Sequence, residues 1–521
     1  MLKSSGAMAL ATLASRVLGM VREMVYAGFL DTGWVADAFF AAFQIPNLFR
    51  RLLGEGALTA AFIPAFTEKQ RTDGEKEMWR AANAVISGLV VAAAVIIALA
   101  MVGITVALSV HQFSAQTDLM LRLLRLMFPY MLMVCVAAVM MGMLNARGHF
   151  FIPAMGATML NVAMIASVLW LAPKFGTDLP PDLRLSKQIF ALAIGVLVAG
   201  VAQAAFQLPT LYRDGFRWRW ETPWGNETVR RVVTKMIPGT LGVAAFQINV
   251  VMVQIVSLIA GQHIVSSFNF ATRLMELPQG MFGISLATFL LPTLTTLALE
   301  KNFTAFRTNL RHGIATMLFA NLIASVLLTV LAEPIVRLLF EHRRFTPEST
   351  QRVAFALMCL APGLCAFSSV NILARAFYAL NDTKTPMKIS IVCLALNLPL
   401  SFLFVWRLQQ GGLGVANTIS SVVNLLLLAY ALRKKLKFLD WGELKKTLPL
   451  LLGATALAGM VAWLAWQGWE RSLGHATLAL QIGAVFVPAG IAALVYWLAA
   501  VMAKIPAAHE ITGLVFRKFR R

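Results

Sequence analysis

Several stretches of this chain run for 20 residues or more with almost no charge. The longest lies between Arg80 and His111 and carries no Asp, Glu, Lys or Arg. About 20 apolar residues in a helix cross the hydrocarbon core of a bilayer. Inside lipid every backbone polar group must find its partner within the chain, so only helices and closed barrels can span. A barrel would show alternating segments of about ten residues, and none occur here. The expected fold class is therefore an all-α polytopic membrane protein. Composition agrees: 59% of the 521 residues are hydrophobic, 13% are charged, and the mean hydropathy is +0.73.

The spacing of the runs predicts about fourteen transmembrane helices. They fall at about 5–30, 34–67 (with Pro46 as a bend), 80–110, 119–145, 151–172, 188–212, 236–260, 263–299, 304–331, 350–380, 386–406, 412–432, 447–469 and 476–502. Polar connectors are expected at 68–80, 173–187, 213–235 and 333–349, with a basic linker at 433–446. Lys3 and the apolar run after it read as the first span, retained, and not as a cleaved leader.

The net charge of +21 would suggest nucleic acid in a soluble protein. Here the basic residues segregate with topology. With the N-terminus inside, about 28 Lys and Arg fall in inside loops and about 8 in outside loops. Both termini are thus expected to be cytoplasmic, with no nucleic acid as partner. The four cysteines, Cys135, Cys359, Cys365 and Cys393, all lie in expected helices at spacings that match no metal motif.

A faint internal repeat divides the first twelve helices. GALTAAFIPAF near Pro64 resembles GISLATFLLPTL near Pro292, and the link around Pro153 resembles that around Pro386. Two six-helix lobes follow, 1–212 and 236–432, joined by the basic loop 213–235. Paired halves are a common transporter architecture. Residues 447–521, with the last two helices and a basic tail, have no counterpart and read as appended.

Charge inside the spans marks the candidate site. The stretch Ser15–Glu55 carries Arg16, Arg22, Arg50 and Arg51, with Glu23, Asp37 and Glu55. Four arginines facing lipid would cost on the order of 10 kcal/mol, so they should face water within a bundle. Asp37, Gln44 and Arg51 recur every seven residues, and Glu55 lies one turn further on. In the second half, Ser266 and Arg273 are seven apart and Glu276 follows at i+3. Arginine suits phosphate because its planar fork can hold two oxygens at once. Structural ion pairs that lock helices together are the plainer alternative. Arg122, Arg125 and Arg352 sit near helix ends and read as snorkelling cations. Asn371 and Arg375 share a face of one helix and serve packing or function equally well. Trp218, Trp220 and Trp224 read as an interfacial anchor. No Walker motif, zinc signature or nucleophile elbow is present, so no enzyme, metal or cofactor is expected.

Three blocks carry a resemblance: SRVLGMVRE, ADAFFAAFQIPNLFRRLLGEGALTAAFIPAF and ATRLMELPQGMFGISLATFLLPTL. They closely resemble the lipid II flippase family, MurJ (MviN), of the MOP exporter superfamily. The resemblance implies a V-shaped, two-lobed transporter of the bacterial inner membrane, multi-pass and working by alternating access. It implies export of the undecaprenyl-diphosphate-linked disaccharide-pentapeptide for peptidoglycan synthesis. Bilayer lipids and cell-wall synthesis proteins are the other implied partners. The last two helices would form a groove for the lipid tail. The family's cavity arginines fall on Arg16, Arg22, Arg50 and Arg273, and its supporting polar residues on Asp37, Arg51, Glu55, Ser266 and Glu276. Glu23 stands where relatives often have Asp, and Thr272 where they can have Asp. Some members hold sodium with an acid on the eleventh helix. Here that region offers Asn397 and Ser401 and no carboxylate, so a sodium site there is not expected, and membrane potential or an ion gradient is left open as the drive. Rival expectations are a flippase for another polyprenyl-linked oligosaccharide and a drug exporter of the same superfamily.

Overall fold

The computed structural model describes residues 2–49, 51–52, 58–438 and 442–509. Among them every regular element is helical. The chain divides into two compact units, Met1–Ile255 and Val256–Arg521.

The first unit contains α1 (Leu2–Leu30), α2 (Trp34–Phe49), α3 (Leu58–Val110), α4 (Ala115–Met127), α5 (Tyr130–Ala146), α6 (Phe151–Ala166), α7 (Pro181–Arg213) and most of α8 (Glu227–Ala260). Helix α6 packs between α1 and α7, α5 packs on α7 and α3, and α2 packs on α4. One core cluster gathers Phe62, Phe66, Met78 and Trp79 of α3 with Met143 and Leu144 of α5, Leu211 of α7, and Phe216.

The second unit contains α9 (Ile264–Pro278), α10 (Ser285–Leu299), α11 (Phe303–Val330), α12 (Ala332–Phe340), α13 (Pro347–Leu360), α14 (Leu364–Ala379), α15 (Lys384–Leu408), α16 (Gln410–Lys435), α17 (Gly442–Ser472) and α18 (Leu478–Met502). Helices α9 and α10 are joined without a loop by a π-helical stretch, Gln279–Ile284. A short 3-10 turn at Ala361–Gly363 joins α13 to α14 in the same way. Helices α17 and α18 pack on each other and dock on α11 and α12. Ala454, Ala458 and Ala462 keep the α17 face flat enough for close approach. At Gly459 a Cβ would lie 2.6 Å from Val326 Cγ2. The Tyr496 hydroxyl donates to the Phe319 carbonyl at 2.8 Å. Arg337 of α12 meets Glu470 of α17 at 2.5 Å and Glu333 at 2.5 Å.

By length and hydropathy, ten helices among the described residues can cross a membrane, or eleven if the bent pair α4–α5 is one span. The all-α membrane class is therefore secure. Helix α2, at 16 residues, is short for a span, and in α8 the apolar part is Gln247–Ala260.

Several connectors differ from the sequence expectation. Residues 68–80, expected as a polar loop, lie within α3. Glu, Lys, Gln and Arg are good helix formers. Lys69 pairs with Asp73 and Arg80 with Glu77 along the same helical surface. Only Gly74 leaves helical geometry, at φ 85° and ψ 177°, a backbone region open to glycine at little cost. The expected connector 173–187 turns helical at Pro181, where proline's missing N–H and fixed φ suit the first turn. The stretch 333–349 contains α12. The single helix expected at 119–145 is bent by 42° between α4 and α5, where Pro129 removes a ladder donor. The loop expected at 213–235 shortens to 214–226, because α8 starts at Glu227.

Candidate functional site

In the first unit the site is built on α1. Arg22 and Glu23 follow one another about 100° apart around the helix. The Arg22 side chain swings back so that Nη2 meets Glu23 Oε1 at 2.5 Å. Its Nη1 donates to Asn161 Oδ1 on α6 at 2.9 Å. Asn161 in turn donates from Nδ2 to the Ser15 carbonyl at 3.3 Å, so it bridges two levels of α1. The guanidinium lies 5.7 Å from the centre of the Tyr26 ring, within cation–π range. The Arg22 side chain is 15% exposed and that of Glu23 4%. A guanidinium has five N–H donors. Two are used here, and Nε is buried without a partner.

Asp37 lies in the first turn of α2 and is fully buried, where the helix dipole favours a carboxylate. Arg51 is half-buried in a π-type turn beyond the end of α2. The seven-residue stripe through Asp37, Gln44 and Arg51 is therefore not continued as regular α-helix. Arg16 is exposed on α1. Arg50 and Glu55 lie outside the described residues.

In the second unit, Arg273 Nη1 bonds Glu276 Oε2 at 2.8 Å on α9, as the i+3 spacing predicts. Both are partly open to solvent, at 31% and 46%. Ser266 is fully buried two turns earlier. Thr272, in place of an acid, donates to the carbonyl of Phe268. It therefore serves its own helix and adds no charge beside Arg273.

The peripheral candidates have local partners. Arg122 pairs with Asp118 at 2.7 Å, and Arg125 reaches Thr105 at 3.5 Å. Arg352 contacts His263 Nδ1 at 3.2 Å. Asn371 donates to the Phe367 carbonyl, and the Arg375 guanidinium lies 5.8 Å from the Tyr378 ring. On α15, Asn397 donates to Asn417 Oδ1 at 3.0 Å and Ser401 is buried. Sequence reasoning missed Asn161 and Tyr26. A lone Asn within the apolar run of α6 was the available signal.

What the two constellations share is a guanidinium held by a neighbouring carboxylate. A guanidinium suits an anion by its charge and its planar fork. The family model for lipid II flippase MurJ matches residues 26–482. This chain belongs to the lipid II flippase MurJ family. The probable lipid II flippase MurJ of Vibrio cholerae serotype O1 is 31% identical, over 91% of this chain and 92% of its own length. That of Rhizobium tropici is 32% identical, over 94% and 92%. The lipid II flippase MurJ of Burkholderia cenocepacia is 32% identical, over 88% and 89%. Among solved structures, a lipid II flippase MurJ in an inward closed conformation matches with a TM-score of 0.75 at 21% identity, over 95% of this chain and 99% of that one. An inward-facing multidrug resistance MATE family transporter of the MOP superfamily matches at 0.62 with 14% identity, over 82% and 99%. Both structures share the fold of the MurJ family member described here.

Proposed function

We propose that this protein flips lipid II, the undecaprenyl-diphosphate-linked peptidoglycan precursor, from the cytoplasmic to the periplasmic leaflet of the inner membrane. The supporting observation is the family membership of a chain that carries an arginine–carboxylate pair in each unit. Transport proceeds by alternating access and needs no covalent chemistry, cofactor or metal. Arg16, Arg22, Arg50 and Arg273 bind the diphosphate, and Arg51 adds charge. Glu23 and Glu276 orient Arg22 and Arg273, while Asp37, Glu55 and Ser266 complete the polar support. The paired carboxylates offset part of each arginine's burial cost.

The lipid tail lies along α17 and α18, whose outer faces expose Trp463, Leu464, Phe486, Leu494 and Leu498. There its apolar surface stays out of water throughout the cycle. Both termini are cytoplasmic, following the positive-inside bias. The region where some relatives' sodium site would fall reads CLALNLPLSF, with Asn397 donating to Asn417 Oδ1 and no carboxylate in that stretch of sequence.

The test is depletion of the protein in growing cells, followed by measurement of which lipid-linked precursor accumulates and in which leaflet. Accumulation of lipid II in the inner leaflet is expected. Accumulation of a different polyprenyl-linked oligosaccharide, with lipid II distributed normally, would replace the substrate while keeping the mechanism.

A further inference from the structure

Residues 214–226, between α7 and α8, form no helix, yet they are pinned along α3. Phe216 is buried, its ring 5.6 Å from that of Trp79. Asn83 donates to the Arg217 carbonyl at 2.9 Å. The Glu221 N–H donates to Ser87 Oγ at 3.3 Å, and its carboxylate lies 3.3 Å from Arg80 Nε. Pro223 is buried beside Gly88, where a Cβ would lie 3.2 Å from Pro223 Cβ. Arg217 Nη1 closes the start of the strap by donating to the carbonyls of Tyr212 and Phe216, each at 2.7 Å.

The outer face of this fixed strap is unusual. Trp218, Trp220 and Trp224 are 44%, 59% and 68% exposed. Arg213 and Arg219 are exposed beside them and make no ion pair among the described residues. The nearby carboxylates are paired with other groups: Asp214 with His149 and Arg147, Glu221 with Arg80. The strap also sits at one particular level. It is pinned to Trp79–Gly88, where the charged stretch 68–80 of α3 gives way to its uncharged run. That is the level of the membrane–water interface, where indoles are most stable and where anionic headgroups attract arginine.

We propose that the strap is a platform for anionic phospholipid headgroups of the surrounding bilayer. The headgroup phosphodiester lies against Arg213 and Arg219, and the three indoles lie at the glycerol level. Charge complementarity selects the occupant, since the outward face is cationic and aromatic. This lipid is a resident of the membrane and not the transported molecule, so the proposal stands independently of the substrate. Because the backbone is fixed by α3, binding costs little ordering.

The test uses the full chain with bimane attached at Thr222→Cys, in nanodiscs of phosphatidylcholine alone or with one quarter phosphatidylglycerol. Aqueous iodide quenching is expected to fall several-fold in the anionic discs. Arg213→Gln/Arg219→Gln should remove that difference, and Trp218→Ser/Trp220→Ser/Trp224→Ser should raise quenching in both. Phosphatidylglycerol co-purifying with the unlabelled protein should fall at least twofold in the arginine variant, a readout that needs no label. Equal quenching in neutral and anionic discs, or an unchanged phosphatidylglycerol content, would overturn the proposal. So would protection that appears only on adding a cytoplasmic protein extract, which would make the strap a protein interface.

Discussion

Replacing Arg22 by alanine separates two roles that arginine plays at membrane depth. The substitution leaves Glu23, with a side chain 4% exposed, without the guanidinium 2.5 Å away. Breaking a buried ion pair by removing one partner costs about 3–5 kcal/mol. Water reaches Arg22 at 15% exposure, which places the cost near the lower end, about 3 kcal/mol. That is roughly a hundredfold in a folding equilibrium. Arg22→Ala is therefore expected both to abolish transport and to lower the thermal midpoint and membrane abundance. Arg16→Ala is the comparator. Its side chain is exposed, so transport should be lost at normal abundance. Adding Glu23→Gln to Arg22→Ala removes the buried carboxylate's charge and should restore abundance without restoring growth. The assays are complementation of a depletion strain, scored beside quantitative immunoblotting and thermal unfolding monitored by size-exclusion chromatography. If Arg22→Ala unfolds at the wild-type temperature, the pair is not structural and the energetic argument is wrong. If the double variant supports growth, Arg22 has no part in binding the substrate.

The Arg273–Glu276 pair is half-exposed, so Glu276→Ala should change stability by less than about 1 kcal/mol, measured by the same unfolding assay, while Arg273→Ala stops growth at unchanged abundance. Gly459→Leu drives a side chain into Val326 and should destabilise by about 1–3 kcal/mol, read as loss of a disulfide engineered between α11 and α17. At the turn before α15, burial raises the Asp382 carboxyl, but hydrogen bonds from Lys435 and Thr385 outweigh it and hold its pKa at about 2. The folded value is below the unfolded one of about 3.9, so the carboxylate stabilises the turn above pH 4 and loses that effect as pH falls towards 2. Discounted for solvent, the effect is about 1 kcal/mol. The hydrogen-exchange protection factor near residues 380–386, taken against intrinsic exchange at each pH, should fall between pH 5 and pH 2 in the wild type, and in Asp382→Asn it should be low at both.

Much of the architecture was readable because hydrocarbon leaves a chain few choices. Each apolar run had to be a helix, and the i+3 pairing of Arg273 with Glu276 followed from spacing alone. Connectors were read less well, since water and protein both satisfy a polar backbone. The charged residues 68–80 looked like a loop by composition but are helical by propensity, and only Gly74 interrupts them. The bend at Pro129 went unread because proline is tolerated within membrane helices. Within the site, periodicity suggested that Asp37 and Arg51 share a stripe, but α2 ends at Phe49. The partnership of Arg22 with Asn161 joins residues 139 apart, and no local pattern carries that information.

The docking of α17 and α18 also bears on what can be cut away. A chain stopped after Lys435 would lack the helices that cover Phe319 and Val326 on α11 and Leu331 just beyond it. It would also strip Glu470 from Arg337. What remained, α1–α16, would have an open seam along α11, prone to pairing with itself in the bilayer. An engineered minimal transporter would have to refill that seam with larger side chains before its transport could be judged. Fusion partners are better placed after residue 509, because Ile505, Ala507 and Ala508 are still buried in the cluster along this seam.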